Sequence, residues 1–365
     1  MNSIDLTKIE KLRGKISGAG LDAMLVCPSQ ELRFLTGFSP MMCERFQGLF
    51  IPAEGAPFYI CNRLYADEIE EQYGDSFKVY SWFDGEDMSA AVYAALTETG
   101  LTGSKMGVNS TAQSFNTIPI GRVCGIEFEP GLAVLEEARI IKTLEEQANL
   151  KRAAEIADES LSDVLTFIKP GQTEGMIFDY FCERMVARGG TEPWAIVASG
   201  PNSSYPHYMG TERVIEAQDV IVLDFGCVYN GMFSDTTRTV FVGGVTERQR
   251  AVYEIVRRAQ EAGESAAVDG AYIPEVDAAA RDIIALEGYG EFFYTRLGHG
   301  IGYMIHEAPD IKRSNARCLE AGMAFSIEPG IYLPGDFGVR IENIVLVTPG
   351  GHEVLNRTSR ELIII

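Results

Sequence analysis

Asp224 closes the apolar run Val220-Ile221-Val222-Leu223 and is followed by Phe225-Gly226. A carboxylate in such a strand costs several kcal/mol when it is buried, charged and unpaired. Just downstream, Asn230-Gly231 is the strongest two-residue signal for a β-hairpin. A turn there sets position 229 against 232 and position 226 against 235. Asp235 then lies diagonal to Asp224 on one sheet face, with Cα atoms about 7–8 Å apart. Two carboxylates sharing a face repel, so either one keeps a proton or a cation sits between them. A second pair, Glu328 and Glu342, stands symmetrically about Gly335 in the turn-rich Pro334-Gly335-Asp336-Phe337-Gly338. If that stretch closes a hairpin, the two glutamates face each other. Four carboxylates without a matching lysine cluster point to a divalent metal held by oxygen. His299, in Gly298-His299-Gly300-Ile301-Gly302, adds a nitrogen, and the glycines give the backbone room to approach a site. One imidazole and four carboxylates suffice for two metals that share bridging oxygens, about 3.5–4 Å apart, an arrangement that activates a water and stabilises an oxyanion. Each residue also has a plainer reading. A strand Asp is usually structural, Glu328 before Pro329 would cap a turn, and Arg340 with Glu342 would make an ordinary strand ion pair. It is the joint occurrence that argues for chemistry.

The elements that must position these groups come in two matched sets. Thr143 with Glu146 reads as a capping box, and Leu150, Ala153, Ala157, Leu161, Val164 and Ile168 recur at helical spacing up to Lys169-Pro170-Gly171. A second helix is expected from about Thr173 to Arg188, before Gly189-Gly190. Strands are expected at Ala195–Ala198, Val220–Leu223 and Arg238–Val242. The series then restarts. Thr246 with Gln249 is another capping box, Val252, Ile255, Val256 and Ala259 carry the helix, and Pro274 suits the first turn of the next one. Strands follow at Met323–Ile327 and Ile341–Val347. Thr143 and Thr246, Asp224 and Glu328, and Asp235 and Glu342 stand at nearly the same offset. Residues from about 143 onward therefore read as a duplicated α+β unit closing on one site. Residues 1–135 read as alternating short strands and helices, with Asp22–Cys27 a buried strand and Phe50–Pro52 and Phe58–Ile60 a hairpin. That region holds no cluster of chemical groups.

Composition narrows the field. In 365 residues the apolar share is 46% and the charged share 23%, the profile of a globular chain. The formal net charge of −21 repels phosphate, so nucleic acid and anionic membranes are disfavoured as partners. No apolar run approaches a membrane span. The opening Met1-Asn2-Ser3-Ile4-Asp5-Leu6-Thr7-Lys8 has no basic stretch leading into an apolar one, so a cytoplasmic location is expected. The 7 cysteines are widely spaced, without Cys-x-x-Cys, which argues against a disulfide framework or a cysteine-rich zinc site. There are only 4 histidines, at 207, 299, 306 and 352.

Several strings resemble the pita-bread metallopeptidases (family M24), which include Xaa-Pro aminopeptidases, prolidases and methionine aminopeptidases. They are Leu223-Asp224-Phe225-Gly226, Ser234-Asp235-Thr236-Thr237-Arg238-Thr239, Gly298-His299-Gly300-Ile301-Gly302 with His306-Glu307, Ile327-Glu328-Pro329-Gly330-Ile331-Tyr332, and Val339-Arg340-Ile341-Glu342-Asn343. Phe34-Leu35-Thr36-Gly37-Phe38 and Ile140-Ile141-Lys142 are similar to the prolidase and Xaa-Pro aminopeptidase branch. The resemblance implies an α+β chain: a creatinase-type α/β domain over 1–135, serving substrate access and dimerisation, then a catalytic pita-bread domain over 139–365.

It also implies roles. Asp235 and Glu342 would bridge two divalent ions (Mn, Co, Zn or Fe), Asp224 would bind one, and His299 and Glu328 the other. An activated water would attack an amide carbonyl in a small peptide, at an Xaa-Pro bond, with Glu328 shuttling the proton. His207 would contact substrate, His306 would stabilise the tetrahedral intermediate, and Arg340 would orient ligands or meet substrate. A homodimer is expected. His352 matches nothing in the family and reads as surface. Two features depart from the family pattern. Asp310 stands near where prolidase-like chains carry a basic residue suited to a dipeptide carboxylate, and Thr191-Glu192-Pro193-Trp194 is unlike the usual approach to Ile196–Gly200. A hydrolase of another C–N bond, as in creatinase or ectoine-hydrolase relatives, is the alternative enzyme. A non-catalytic pita-bread binding protein is the alternative from outside enzymology, and the intact ligand set counts against it.

Overall fold

The computed structural model describes residues 6–74 and 76–365. The opening Met1–Asp5, part of the segment bearing on a leader sequence, lies outside the described residues. The chain divides into two compact units, Met1–Arg139 and Ile140–Ile365.

The first unit runs α1 (Leu6–Gly18), β1 (Ala23–Val26), α2 (Gln30–Thr36), β2 (Gly48–Pro52), β3 (Phe58–Asn62), α3 (Arg63–Tyr73), β4 (Lys78–Trp82), α4 (Met88–Glu98), β5 (Lys105–Val108), α5 (Ser114–Cys124), β6 (Glu127–Pro130) and α6 (Leu132–Arg139). Its strands form one sheet in the order β4-β3-β2-β1-β5-β6. The expected hairpin is β2–β3, with Leu49 opposite Tyr59. Leu25, Phe50, Phe58 and Ile60 lie in the core on one face of this sheet.

The second unit opens with α7 (Leu144–Phe167) and α8 (Glu174–Ala187), followed by β7 (Thr191–Ser199), β8 (Val220–Tyr229), β9 (Met232–Phe233) and β10 (Thr236–Phe241). It then repeats the plan with α9 (Glu247–Ala266), α10 (Ile273–Leu286), β11 (Gly298–Gly300), β12 (Glu307–Ile311), β13 (Ala324–Ile327), β14 (Gly330–Tyr332), β15 (Gly338–Arg340) and β16 (Asn343–Thr348). The strands β17 (Gly351–Val354) and β18 (Ile363–Ile364) finish the chain. Both capping boxes form: Thr143 with Glu146 starts α7, and Thr246 with Gln249 starts α9. The second helix of each set is 14 residues long.

Each set buries its helices against its own sheet. Phe181 of α8 packs with Leu223 and Phe225 of β8 in the first, and Val256 and Ala280 pack with Phe325 and Val345 in the second. The sheets are β18-β10-β8-β7, with β9 paired to β8, and β12-β11-β13-β16-β17; β14 and β15 pair by themselves. A third cluster joins the sets, with Leu150, Ala154 and Met232 meeting Ile301, Ala324 and Ile344.

The hairpin registers carry the site. Asn230 and Gly231 both take positive φ, 47° and 83°, as a two-residue hairpin turn of matching twist requires. Tyr229 opposes Met232, and beyond the turn Asp224 opposes Thr237. That register is continuous, so Gly226 and Asp235 are opposite each other as expected, but the ladder is open around Asp235. In the second set Gly330 opposes Arg340 and Ile327 opposes Asn343. Glu328 and Glu342 fall between them, again in a gap in the ladder. The expected strand over Ile341–Val347 therefore begins only at Asn343.

The gap at Gly226 is sterically closed to any side chain. A Cβ there would fall 1.9 Å from the Ser234 carbonyl oxygen. Replacing Thr143 with Ala removes one cap and should lower the unfolding free energy by about 1 kcal/mol. Gly226→Ala should cost clearly more, because backbone must move. Equal losses for the two variants in urea titrations would count against this reading of the gap.

Candidate metal centre

Helix-facing and site-facing residues alternate along β7 and β8. Ala195, Val197, Leu223 and Phe225 lie in the helix-packed core. Trp194, Ile196, Asp224 and Gly226 therefore share the opposite face, with Trp194 paired to Gly226 and Ile196 to Asp224. Thr237 and Asp235 line up on that face from the other side of β8. His299 arrives on β11 at a register shift between Gly298 and Gly300, the kind of bulge that re-aims a side chain. Gly298 is needed there, since a Cβ would sit 1.8 Å from the Ser326 carbonyl oxygen.

The structure brings Asp224, Asp235, His299, Glu328 and Glu342 together. Ligand atoms of Asp235, His299 and Glu342 all lie within 4.8 Å of one another. His299 Nε2 is 3.1 Å from Glu328 Oε1 and 3.5 Å from Asp235 Oδ2. Its Nδ1 lies 3.1 Å from the Gly300 carbonyl oxygen. A carbonyl only accepts, so Nδ1 carries the hydrogen in that contact. Nε2 then faces the carboxylate oxygens, placed to serve as a ligand to a cation among them.

Three of the four carboxylates are sequestered, Asp224 at 7%, Asp235 at 4% and Glu342 at 1% exposure. Their Oδ1, Oδ1 and Oε1 atoms are buried and, among the described residues, have no hydrogen-bond partner. One oxygen each of Asp224, Glu342 and Glu328 is held by a donor. Arg340 Nη2 donates to Asp224 Oδ2 (2.6 Å), the Thr237 hydroxyl donates to Glu342 Oε2 (2.7 Å), and the Ser326 hydroxyl donates to Glu328 Oε1 (3.0 Å). Buried polar atoms are ordinarily paired, so three convergent unpaired oxygens fit a site for cations. Burial, and then the charges of Glu342 and Asp224, push Asp235 well above the usual carboxylate range. Burial, followed by Glu328 and Asp224, does the same to Glu342. Burial works to raise Glu328 too, but the hydrogen bond and charge of His299, with Arg340 and Ser326, outweigh it and hold Glu328 low.

Arg340 uses all three of its nitrogens. Besides Asp224 it donates to Thr237 Oγ1 (2.9 Å), Tyr332 Oη (2.8 Å) and the Pro206 carbonyl (3.1 Å). That last bond ties down the exposed turn carrying His207. The His306 ring stands edge-on to His299, centroids 4.3 Å apart. Part of His306 reaches solvent, yet enclosure by the site, then the charges of His299, Arg296 and, more weakly, His207, push it down to about 4. Asp310 is paired with Arg296 and Lys312, each at 2.5 Å. The Trp194 ring covers Gly226, its Cζ2 lying 2.9 Å from where a Cβ would be. His352, expected at the surface, is half-buried on β17, opposite Val347.

Sequence reasoning singled out none of Thr237, Ser326, Tyr332 and Arg238. Two were within reach. Thr237 is the cross-strand partner of Asp224 once the Asn-Gly turn sets the register, and Ser326 precedes Glu328 by one strand period. Arg238 carried no signal. Fully buried, it donates to the carbonyls of Thr237 (2.8 Å), Glu342 (2.6 Å), Thr358 (2.7 Å) and Ser359 (3.0 Å) and to Asn343 Oδ1 (2.7 Å).

Comparison with known proteins agrees with this architecture. Residues 148–349 match the model of metallopeptidase family M24, and residues 8–141 match that of the creatinase/prolidase N-terminal domain. A probable dipeptidase PepE of Mycobacterium tuberculosis is 35% identical over 95% of this chain and 93% of that protein. An Xaa-Pro dipeptidase of Pyrococcus horikoshii is 33% identical over 98% of both. Among solved structures, the dipeptidase PepE from Mycobacterium ulcerans superposes with a TM-score of 0.94 at 34% identity, covering 99% of this chain and 97% of that one. The prolidase from Thermococcus sibiricus gives 0.92 at 36%, covering 98% of both. The chain is a member of metallopeptidase family M24, a pita-bread enzyme preceded by a creatinase-type N-terminal domain.

Proposed function

We propose that this metallopeptidase hydrolyses Xaa-Pro bonds in small peptides, with Asp224, Asp235, His299, Glu328 and Glu342 holding two divalent ions. The observation that carries the reading is the set of three buried carboxylate oxygens without partners, on Asp224, Asp235 and Glu342, beside the His299 imidazole. As the family resemblance implies, Asp235 and Glu342 would serve both ions, Asp224 one of them, and His299 and Glu328 the other. Oxygen-rich ligation with one imidazole suits Mn, Co, Zn or Fe. Bound there, the ions would lower the pKa of a water and polarise the scissile carbonyl.

The chain's own groups do the rest. Glu328, held ionised beside His299, takes the attacking water's proton and returns it to the leaving nitrogen. His306 is neutral near pH 7 and offers an N–H to the substrate oxygen as it gains charge. His207 contacts the substrate from its turn. Arg340 fixes Asp224 and the Pro206 carbonyl at once, so it couples ligand geometry to the His207 turn. Trp194 and Ile196 supply an apolar wall beside the carboxylates, suited to a pyrrolidine or aliphatic side chain. The first unit is assigned to dimerisation and substrate access. A cytoplasmic location fits helices of which none, among the described residues, is long and apolar enough to cross a membrane.

Purified protein supplied with Mn, Co or Zn should cleave Xaa-Pro dipeptides or Xaa-Pro-Yaa tripeptides in preference to proline-free controls. Cleavage of tripeptides alone would reassign it to the aminopeptidase branch. No cleavage of any peptide by protein holding two metals would replace the peptide reading with that of another C–N hydrolase.

Asp235→Ala should lose both metals by elemental analysis, along with turnover; retained turnover would sink the two-metal site.

The raised groups also give a signed pH effect. In chelator-treated protein Asp235 and Glu342 keep protons that the unfolded chain has already lost, so stability falls as pH rises through their raised values. Cations remove that penalty. The gain in Tm on adding Mn should therefore be larger near pH 8 than near pH 5.5; a gain independent of pH would contradict the assignment.

A further inference from the structure

Residues 301–306 form neither helix nor strand, yet they end on His306, whose ring must meet the site in one direction. Something other than a sheet ladder has to hold them. The side chain of Glu307 doubles back under this loop. Its Oε2 accepts the Met304 N–H (3.2 Å), and its Oε1 accepts from Lys142 Nζ (2.5 Å). Both side chains are withdrawn from water, at 0% and 1% exposure. Gly302 rests directly on the pair, since a Cβ there would lie 2.6 Å from both Glu307 Oε1 and Lys142 Cε. Above the pair, the Gly302 N–H donates to the Met304 carbonyl (3.1 Å), and the Gly302 carbonyl accepts from Phe233 N–H (2.8 Å) in the first-set hairpin.

Lys142 is itself anchored. Its N–H donates to the Gly322 carbonyl (2.8 Å), and its carbonyl accepts from Gln147 Nε2 (2.9 Å). Glu307 is turned into the core at the start of β12, while the His306 ring just before it stands edge-on to His299. A buried ion pair of this kind contributes little net stability compared with apolar residues of similar volume, so its presence calls for a second reason.

We propose that Lys142 is a positioning residue: through Glu307 it fixes the Gly302–His306 loop and so the direction of the His306 ring, without touching substrate or metal. The proposal rests on the reading of His306 as a group that meets the substrate. A double-mutant cycle tests it on metal-loaded protein with the best peptide from the panel above. Lys142→Met should keep its metal content and a KM within about twofold, while kcat falls about 10- to 100-fold, the loss expected of a misaimed group. His306→Ala should lower kcat as well, and adding Lys142→Met to it should cost no more than about twofold further, because one variant has already removed what the other misplaces. Lys142→Arg should recover part of the loss.

Multiplying losses in the double variant would overturn the proposal while leaving His306 its role. An undiminished kcat in His306→Ala would overturn both. Should Lys142→Met fail to fold, Lys142→Met with Glu307→Leu keeps the core filled without charge; it is expected to fold and show the same loss of kcat, and wild-type kcat in that variant would overturn the proposal.

Discussion

Everything around the site answers to one electrostatic constraint. Four carboxylates converge at a place almost closed to water, and among the described residues Arg340 is the one guanidinium that pairs with any of them, through Asp224. Such a cluster is tenable only with protons or cations in it. One guanidinium against four carboxylates leaves most of the cluster's charge uncompensated. The surrounding structure uses hydroxyls where further cations would serve, Thr237 on Glu342 and Ser326 on Glu328, so that the oxygens are oriented while their charge is left for something else. Backbone gives way too, since both hairpin ladders open at the carboxylates and a bulge turns His299 toward them.

Neither half of the duplicated unit can build this alone. Asp224, Asp235 and Thr237 come from the first set, and His299, Ser326, Glu328 and Glu342 from the second. The bonds that matter most run between them: Arg340 to Asp224, Thr237 to Glu342, and Arg238 to the Glu342 carbonyl. Arg238 uses its whole fork of donors on this seam, and a planar group with five N–H bonds can knit several strands in a way that lysine cannot. Its burial is tolerable because every donor is met. The Lys142–Glu307 pair does comparable work beneath the loop that carries His306. The site's geometry is thus set by interactions one layer behind the groups proposed to do chemistry.

The two features that depart from the family pattern have physical settings of their own. Asp310 is not a stray charge, because Arg296 and Lys312 neutralise it, and Arg296 also acts on His306. Trp194 covers Gly226, the residue opposite Asp235, so a change there alters the wall of the site without disturbing its oxygens. Both changes are compatible with an unchanged metal centre and a specialised substrate side.

How much could be read from the amino-acid order depended on the range of the interaction. The Asn230-Gly231 turn dictates its own register by counting, which put Asp235 opposite Gly226 and diagonal to Asp224. Gly335 did the same for Glu328 and Glu342, and the capping boxes at Thr143 and Thr246 are local hydrogen bonds between residues three apart. The bond from Arg238 to the Glu342 carbonyl, the Lys142–Glu307 pair and the Arg340–Asp224 pair were not legible, because each joins residues more than a hundred positions apart. Hairpin geometry and helix caps are decided by neighbours in the chain, and the sequence by itself determined them. The convergence of two hairpins, the burial that raises Asp235 and Glu342, and the oxygens left unpaired were decided only by the tertiary structure. Desolvation and Coulomb repulsion act on groups according to their distance in space, and no spacing in the chain records that distance.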